Sequence, residues 1–255
     1  MPQFPSILVA ALVVTAPCRA QSYATPEPYG GKQAVGWMLE QEQHFPAGAL
    51  AAGINGEATI AFKVLADGST EHLRVQIPLD PACDAEALRL VRLIRWMPAS
   101  TGGTALDTDH SIAIPFNAKR YKKLHAKRAA CPPLASNTPV DGSYVLYTGQ
   151  QVDTLAAPRI PGGLRSLPHY LAGNLKYPPE AFRLDIQGKV TIEFVVEASG
   201  SVSNLRTLNF LGGGCDDEAM RLARTICWHP AIKEGKLVRS IMKLDIQFRL
   251  DPSSR

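Results

Sequence analysis

"CDDEAMRLARTICWHPA", residues 215–231, is matched 132 positions earlier by "CDAEALRLVRLIRWMPA", residues 83–99, with eleven identities in seventeen positions. The same offset holds without a gap from Gly30/Gly162 to Phe116/Phe248, where 31 of 87 pairs are identical. A repeat of this length means that the chain carries one structural unit twice. It also changes what the quoted stretch can be. Alone, Cys215, Asp216, Asp217, Glu218, Cys227 and His229 look like a cluster of ligands. Copy one, however, has Arg95 for Cys227 and Met97 for His229, so a ligand set would be unique to copy two. Cys215 and Cys227 are separated by a helix that spans about 18 Å at 1.5 Å per residue. That is too far for one tetrahedral metal, or for a disulfide, whose Cα atoms lie within about 7 Å. Metal and cofactor chemistry are therefore not expected.

Within the stretch, Ala219, Leu222, Ala223 and Ile226 fall at i, i+3, i+4 and i+7, as do Ala87, Leu90, Val91 and Ile94 in copy one. This predicts an amphipathic helix. Asp216 and Asp84 are expected to cap its N-terminus, and Pro230 and Pro98 to mark its exit. Trp228 and Trp96 are expected to pack under the helix end. Upstream, Val190, Ile192, Phe194 and Val196 alternate with polar residues and predict a half-buried strand, repeated by Ala58, Ile60, Phe62 and Val64. Gly200 and Gly68 then supply a hairpin turn into a second strand at about 202–209. A helix at about 164–175 ends at "KYPP", where two prolines stop it. A last strand runs over about 239–250. The expected fold is α+β, each copy reading helix, hairpin, helix, strand, with a three-stranded antiparallel sheet backed by helices.

The ends and the middle of the chain differ in character. Residues 1–20, "MPQFPSILVAALVVTAPCRA", read as a secretory signal peptide cleaved after Ala20. The apolar run is too short to span a bilayer as an ordinary helix, and an uncleaved anchor or lipidation at Cys18 are the lesser readings. Export leaves Cys83, Cys131, Cys215 and Cys227 in a compartment that permits disulfides, with the pairing open and Cys131 to Cys83 one option. Of the net charge of +4, six positives lie together at Lys119, Arg120, Lys122, Lys123, Lys127 and Arg128. Setting these and Arg19 aside leaves 20 basic residues against 23 acidic ones, so the basicity is local and nucleic acid is not an expected partner. Residues 119–157 read as a basic and Pro-containing linker between a first domain at 29–118 and a second at 158–251. "DTDH", residues 107–110, reads as a solvated turn, and no local run supplies a nucleophile, base and orienting acid together.

Gly162, Gly163, Tyr177, Pro178, Gly188, Gly200, Cys215, Asp216, Glu218, Trp228 and Pro230, in that order, resemble the C-terminal domain of TonB-type energy transducers. The resemblance covers residues 160–250 well and 29–118 more loosely, with Phe45-Pro46 for Tyr177-Pro178. It implies a periplasmic, non-enzymatic domain whose sheet edge pairs with an extended peptide of an envelope protein, such as the periplasmic segment of an outer-membrane transporter. The edge it points to comprises Arg239, Ser240, Ile241, Met242, Lys243, Leu244, Asp245, Ile246, Gln247 and Phe248. Pro115 lacks an N–H and would weaken the same use of copy one, so copy two is the expected binder. The alternative is an assembly module whose copies pair sheet edges with each other or in a homodimer. In residues 7–16 only Thr15 is polar, so no buried coupling residue stands out and energy transduction by this chain alone is not expected.

Overall fold

A computed structural model of the chain describes residues 23–125, 134 and 137–250. The expected signal peptide, Cys18, Lys127, Arg128 and Cys131 lie outside the described residues. Copy one comprises β1 (Tyr23–Ala24), β2 (Glu27–Pro28), α1 (Gly31–Glu42), α2 (Ala47–Ala51), β3 (Asn55–Val64), β4 (Thr70–Ile77), α3 (Pro81–Leu93), β5 (Trp96–Met97), β6 (Ala99–Thr101), β7 (Thr104–Leu106) and β8 (Thr108–Asn117), followed by α4 (Ala118–His125). Copy two comprises β9 (Leu146–Tyr147), β10 (Ala157–Pro158), α5 (Leu167–Asn174), α6 (Pro179–Arg183), β11 (Gly188–Val196), β12 (Val202–Thr207), α7 (Cys215–Thr225), β13 (Trp228–His229), β14 (Ala231–Lys233) and β15 (Lys236–Phe248). The sheets run β4-β3-β8 and β12-β11-β15, the latter extended by β14 and β9. Each copy is α+β with a three-stranded antiparallel sheet at its centre.

The alternation seen in the sequence forms both cores. Ala58, Ile60, Phe62 and Val64 are buried beneath Ala87, Leu90 and Val91 of α3, and Val190, Ile192, Phe194 and Val196 beneath Ala219, Leu222 and Ala223 of α7. Trp96 lies 5.0 Å from Phe62 between ring centroids and Trp228 lies 5.3 Å from Phe194, both tryptophans fully buried. The Gly-to-Trp spacing shared by the copies has a steric cause. A Cβ on Gly200 would sit 2.5 Å from the Trp228 carbonyl oxygen, and one on Gly68 2.4 Å from that of Trp96.

Asp216 and Asp84 are not the N-caps. Helix α3 starts earlier, at Pro81 with Asp80 as its cap, and α7 starts at Cys215 behind Gly214 in the left-handed region. The two carboxylates instead hold the loops that lead into the helices: Asp216 accepts from the N–H groups of Leu211 and Gly212 at 3.0 and 2.8 Å, and Asp84 from Leu79 at 2.9 Å. Residues 108–110 are also not a solvated turn. They begin β8, where His110 stacks edge-on against Phe62 and Trp96. Asp107, just before, accepts from Ala66 N–H.

Burial pushes the His110 imidazole below its ordinary value of 6.5. A lowered folded-state value means that the unfolded chain binds the proton more readily, so this contribution to stability is present above pH 6.5 and is lost as pH falls through the folded-state value. The thermal unfolding midpoint, followed by tryptophan fluorescence, should fall as the solution is acidified below pH 6.5, and His110→Phe should flatten that slope.

The copies meet side by side without sharing a sheet. The α1 helix of copy one packs on β12, with Trp37 against the second core. Glu42 accepts from the Ser199 and Ser201 hydroxyls, and the Tyr29 ring lies between the Arg95 and Arg206 guanidiniums at 4.3 and 4.2 Å. Asn204 Oδ1 accepts from Arg95 N–H at 2.7 Å and its amide donates to the Leu93 carbonyl at 2.9 Å. Main chain approaches main chain here: a Cβ on Gly30 would sit 1.9 Å from the Leu205 oxygen. Among the described residues no helix is long and apolar enough to cross a membrane.

Candidate functional site

Hydrogen bonding in a sheet alternates, so fixing the direction of one residue fixes its neighbours. The Thr191 N–H donates to Asn209 Oδ1 and the Thr191 carbonyl accepts from Leu208 N–H, so this residue faces the β12 side of β11. Its neighbours Val190 and Ile192 therefore face β15, across from Ile246 and Leu244. The register continues unbroken from Gly188/Phe248 to Val196/Ser240. It follows that Ser240, Met242, Leu244, Ile246 and Phe248 turn their main chain toward β11, while Ile241, Lys243, Asp245 and Gln247 turn theirs outward. Leu237 obeys the same parity, its N–H donating to Pro139 and its carbonyl accepting from Asp141 on the outer side.

The side chains of this edge divide cleanly. Leu244, Ile246 and Phe248 are buried in the core, whereas Lys243, Asp245 and Gln247 are exposed. The Asp245 carboxyl is held below the usual carboxylate range by the Thr191 hydroxyl at 2.7 Å and by Lys189 at 3.0 Å. Arg239 and Ser240, at the start of the same stretch, are buried and already paired: β9 runs parallel to β15, with Leu146 opposite Arg239 and Tyr147 opposite Ser240. Because Ser240 pairs with Val196 on its other side, β9 occupies the outer edge. From Ile241 to Phe248 no strand lies on that edge among the described residues.

The other margins are closed or interrupted. Copy one covers β12. On β8, Pro115 occupies the position equivalent to Gln247, where an outward N–H is needed, and its outward carbonyl accepts from the Gln43 side chain at 2.9 Å. On β4, register shifts break the ladder with β3, and His72 sits at φ 54. Bulges of this kind blunt an edge against further pairing.

The motif residues build the scaffold behind the edge. Tyr177 donates its hydroxyl to the Ile186 carbonyl at 2.6 Å and meets Phe248 edge-on at 5.9 Å, and Pro178 precedes α6. Gly162 and Gly163 form the turn ahead of α5, Gly188 opens β11, and Pro230 is buried beside β14. Glu218 accepts from Lys176 N–H at 2.7 Å and from Arg221, which in turn donates to the Asn174 carbonyl. Glu86, His44, Arg89 and Glu42 repeat this clamp in copy one. The recurring acidic residues are thus explained by loop and helix anchoring.

Cys83 and Cys215 are buried free thiols. Burial pushes Cys83 up to about 11 and Cys215 in the same direction, so both stay protonated and behave as small apolar groups. Cys227 is half-buried and disulfide-bonded, and His229 is exposed. Among the described residues no group of His, Cys, Asp and Glu is arranged to hold a metal ion.

Sequence reading missed the pair beneath the edge. Arg239 donates to Glu197 through Nε and Nη2, at 2.6 and 2.9 Å, and Nη2 also donates to the Leu93 carbonyl of copy one at 2.8 Å. Both side chains are buried, and Ser203 completes the carboxylate shell. A signal was present in the repeat: the equivalents of Glu197 and Arg239 in copy one are Leu65 and Asp107, so copy two carries a complementary pair that copy one lacks.

A family model described as Gram-negative bacterial TonB protein C-terminal matches residues 41–118 and 173–250. Searches of curated proteins and of solved structures returned no match.

Proposed function

Given that the chain belongs to the Gram-negative bacterial TonB protein C-terminal family, as two copies in tandem, we propose that the second copy binds an extended peptide of an envelope protein by strand addition along residues 241–248. The family is one of periplasmic, non-catalytic interaction domains. The observation that carries the reading is the outward-facing main chain of Lys243, Asp245 and Gln247, opposite which no strand lies among the described residues, on a strand whose other side is fully laddered. Strand addition uses such groups for affinity and the alternating side chains for preference. The eight residues offer about 27 Å of edge at roughly 3.4 Å per residue. The partner fitting the family is the periplasmic segment of an outer-membrane transporter. The chain is taken to act in the periplasm after export.

A photo-crosslinker at Asp245 in the full chain, expressed in the periplasm, should capture an envelope protein through an extended segment. The same probe at Thr70, on the interrupted β4 margin, should not. Equal capture from both positions, or capture from Thr70 alone, would contradict the reading. A homodimer formed through the same edge would show itself as capture of a second copy of this chain.

A further inference from the structure

We infer that residues 139–147 act as an internal ligand of this edge, pairing with the first part of β15 and confining any added strand to residues 241–248. The inference rests on the strand-addition reading above. Its basis is a continuous set of contacts on one side of one strand. Leu237 gives and receives a hydrogen bond with Pro139 and Asp141, and two positions later Leu146 and Tyr147 lie parallel to Arg239 and Ser240.

Between these two pairings residues 141–145 lie opposite the single residue Val238, and the segment is anchored to both copies. The Tyr144 carbonyl accepts from Arg239 Nη1 at 3.2 Å, while its ring packs against the core of copy one and under Arg92 at 5.6 Å. Tyr147 packs against the core of copy two, with Lys233 at 5.4 Å from its ring. Tyr144 holds φ 61, a conformation costly for an aromatic residue that persists where its surroundings fix it.

The segment then leaves the edge at a defined place. Thr148 N–H and hydroxyl both donate to Gln151 Oε1, and the Thr148 carbonyl accepts from Gln151 N–H at 3.0 Å. This turn diverts the chain where Ile241 begins. Downstream it is held again, at Thr154 against Ile232 of β14 and at Asp153 against Glu234 N–H. An incoming strand therefore meets a fixed stop at Ser240, and its length and register are set by what remains.

Amide hydrogen exchange on the full chain tests this without a partner. After correction for intrinsic rates, the outward N–H groups of Leu237 and Arg239 should exchange at least about tenfold more slowly than those of Lys243, Asp245 and Gln247. Tyr147→Pro, which removes a donor of the segment, should bring Arg239 to the rate of Lys243 while Leu244 and Ile246 stay protected. A synthetic peptide of residues 139–150 should then protect Arg239 in trans in that variant and not in the unaltered chain. Arg239 exchanging as fast as Lys243 in the unaltered chain would overturn the inference and leave strand addition standing. Lys243, Asp245 and Gln247 as slow as Arg239 would mean a covered edge and would count against both.

Discussion

Arg239→Ala is expected to destabilise the folded chain by about 3–5 kcal/mol, the cost of breaking a buried ion pair by removing one partner. Glu197 is 2% exposed, and burial pushes its carboxyl up despite the Arg239 charge beside it. With the guanidinium gone, the carboxylate keeps Ser203 as its one side-chain donor among the described residues, and the Leu93 carbonyl loses a bond to Arg239. Urea unfolding at neutral pH should show the loss as a lower midpoint. A Glu197→Leu/Arg239→Met double variant should recover at least half of it, because an apolar pair removes the buried charge along with its partner. A double variant as unstable as Arg239→Ala would mean that the geometry of the pair, rather than charge compensation, matters. Arg239 also joins copy one, the segment between the copies and β15, so the single variant should loosen all three together.

The second large effect separates two neighbouring residues. Ile246 turns its N–H toward Val190, so Ile246→Pro removes a ladder bond, strands a buried carbonyl and reshapes a core side chain. These effects sum to at least about 3 kcal/mol. Gln247 turns its N–H outward and its side chain is exposed, so Gln247→Pro should change stability by less than about 1 kcal/mol while abolishing strand addition at that position. Copy one already carries that substitution as Pro115 with its pairing to β3 intact. Unfolding midpoints for the two variants, beside crosslinking from Asp245, check both halves. A Gln247→Pro variant that unfolds as easily as Ile246→Pro would contradict the assignment of which groups face outward.

Much of this architecture could be read from the chain. The 132-residue repeat, the helix stripe from Ala219 to Ile226 and the alternation from Val190 to Val196 all follow from periodicity, because each reflects one face of one element meeting a core. Gly200 and Trp228 each recur in copy one, as Gly68 and Trp96, but the contact between them belongs to the three-dimensional packing. The helix starts were misplaced because carboxylates near an N-terminus bind several kinds of free amide, and only geometry separates a cap from a loop clamp. Two features lay beyond local patterns. The Tyr29, Arg95, Arg206 and Asn204 contacts join residues far apart in sequence and occur once, so the repeat does not report them. The pairing of Leu146–Tyr147 with β15 sits in a segment whose composition reads as a linker, because two residues are too few for a strand signal.

The edge itself was legible only as a resemblance. Its division at Ser240 into a paired part and an open part came from hydrogen-bond parity. Exchange of the Lys243, Asp245 and Gln247 amides, measured before and after saturation with the segment captured at Asp245, tests the central claim most directly. The account predicts fast exchange in the free chain and at least tenfold slowing in the complex, with Leu244 and Ile246 slow throughout. Unchanged, fast exchange of those three amides in the complex would contradict it.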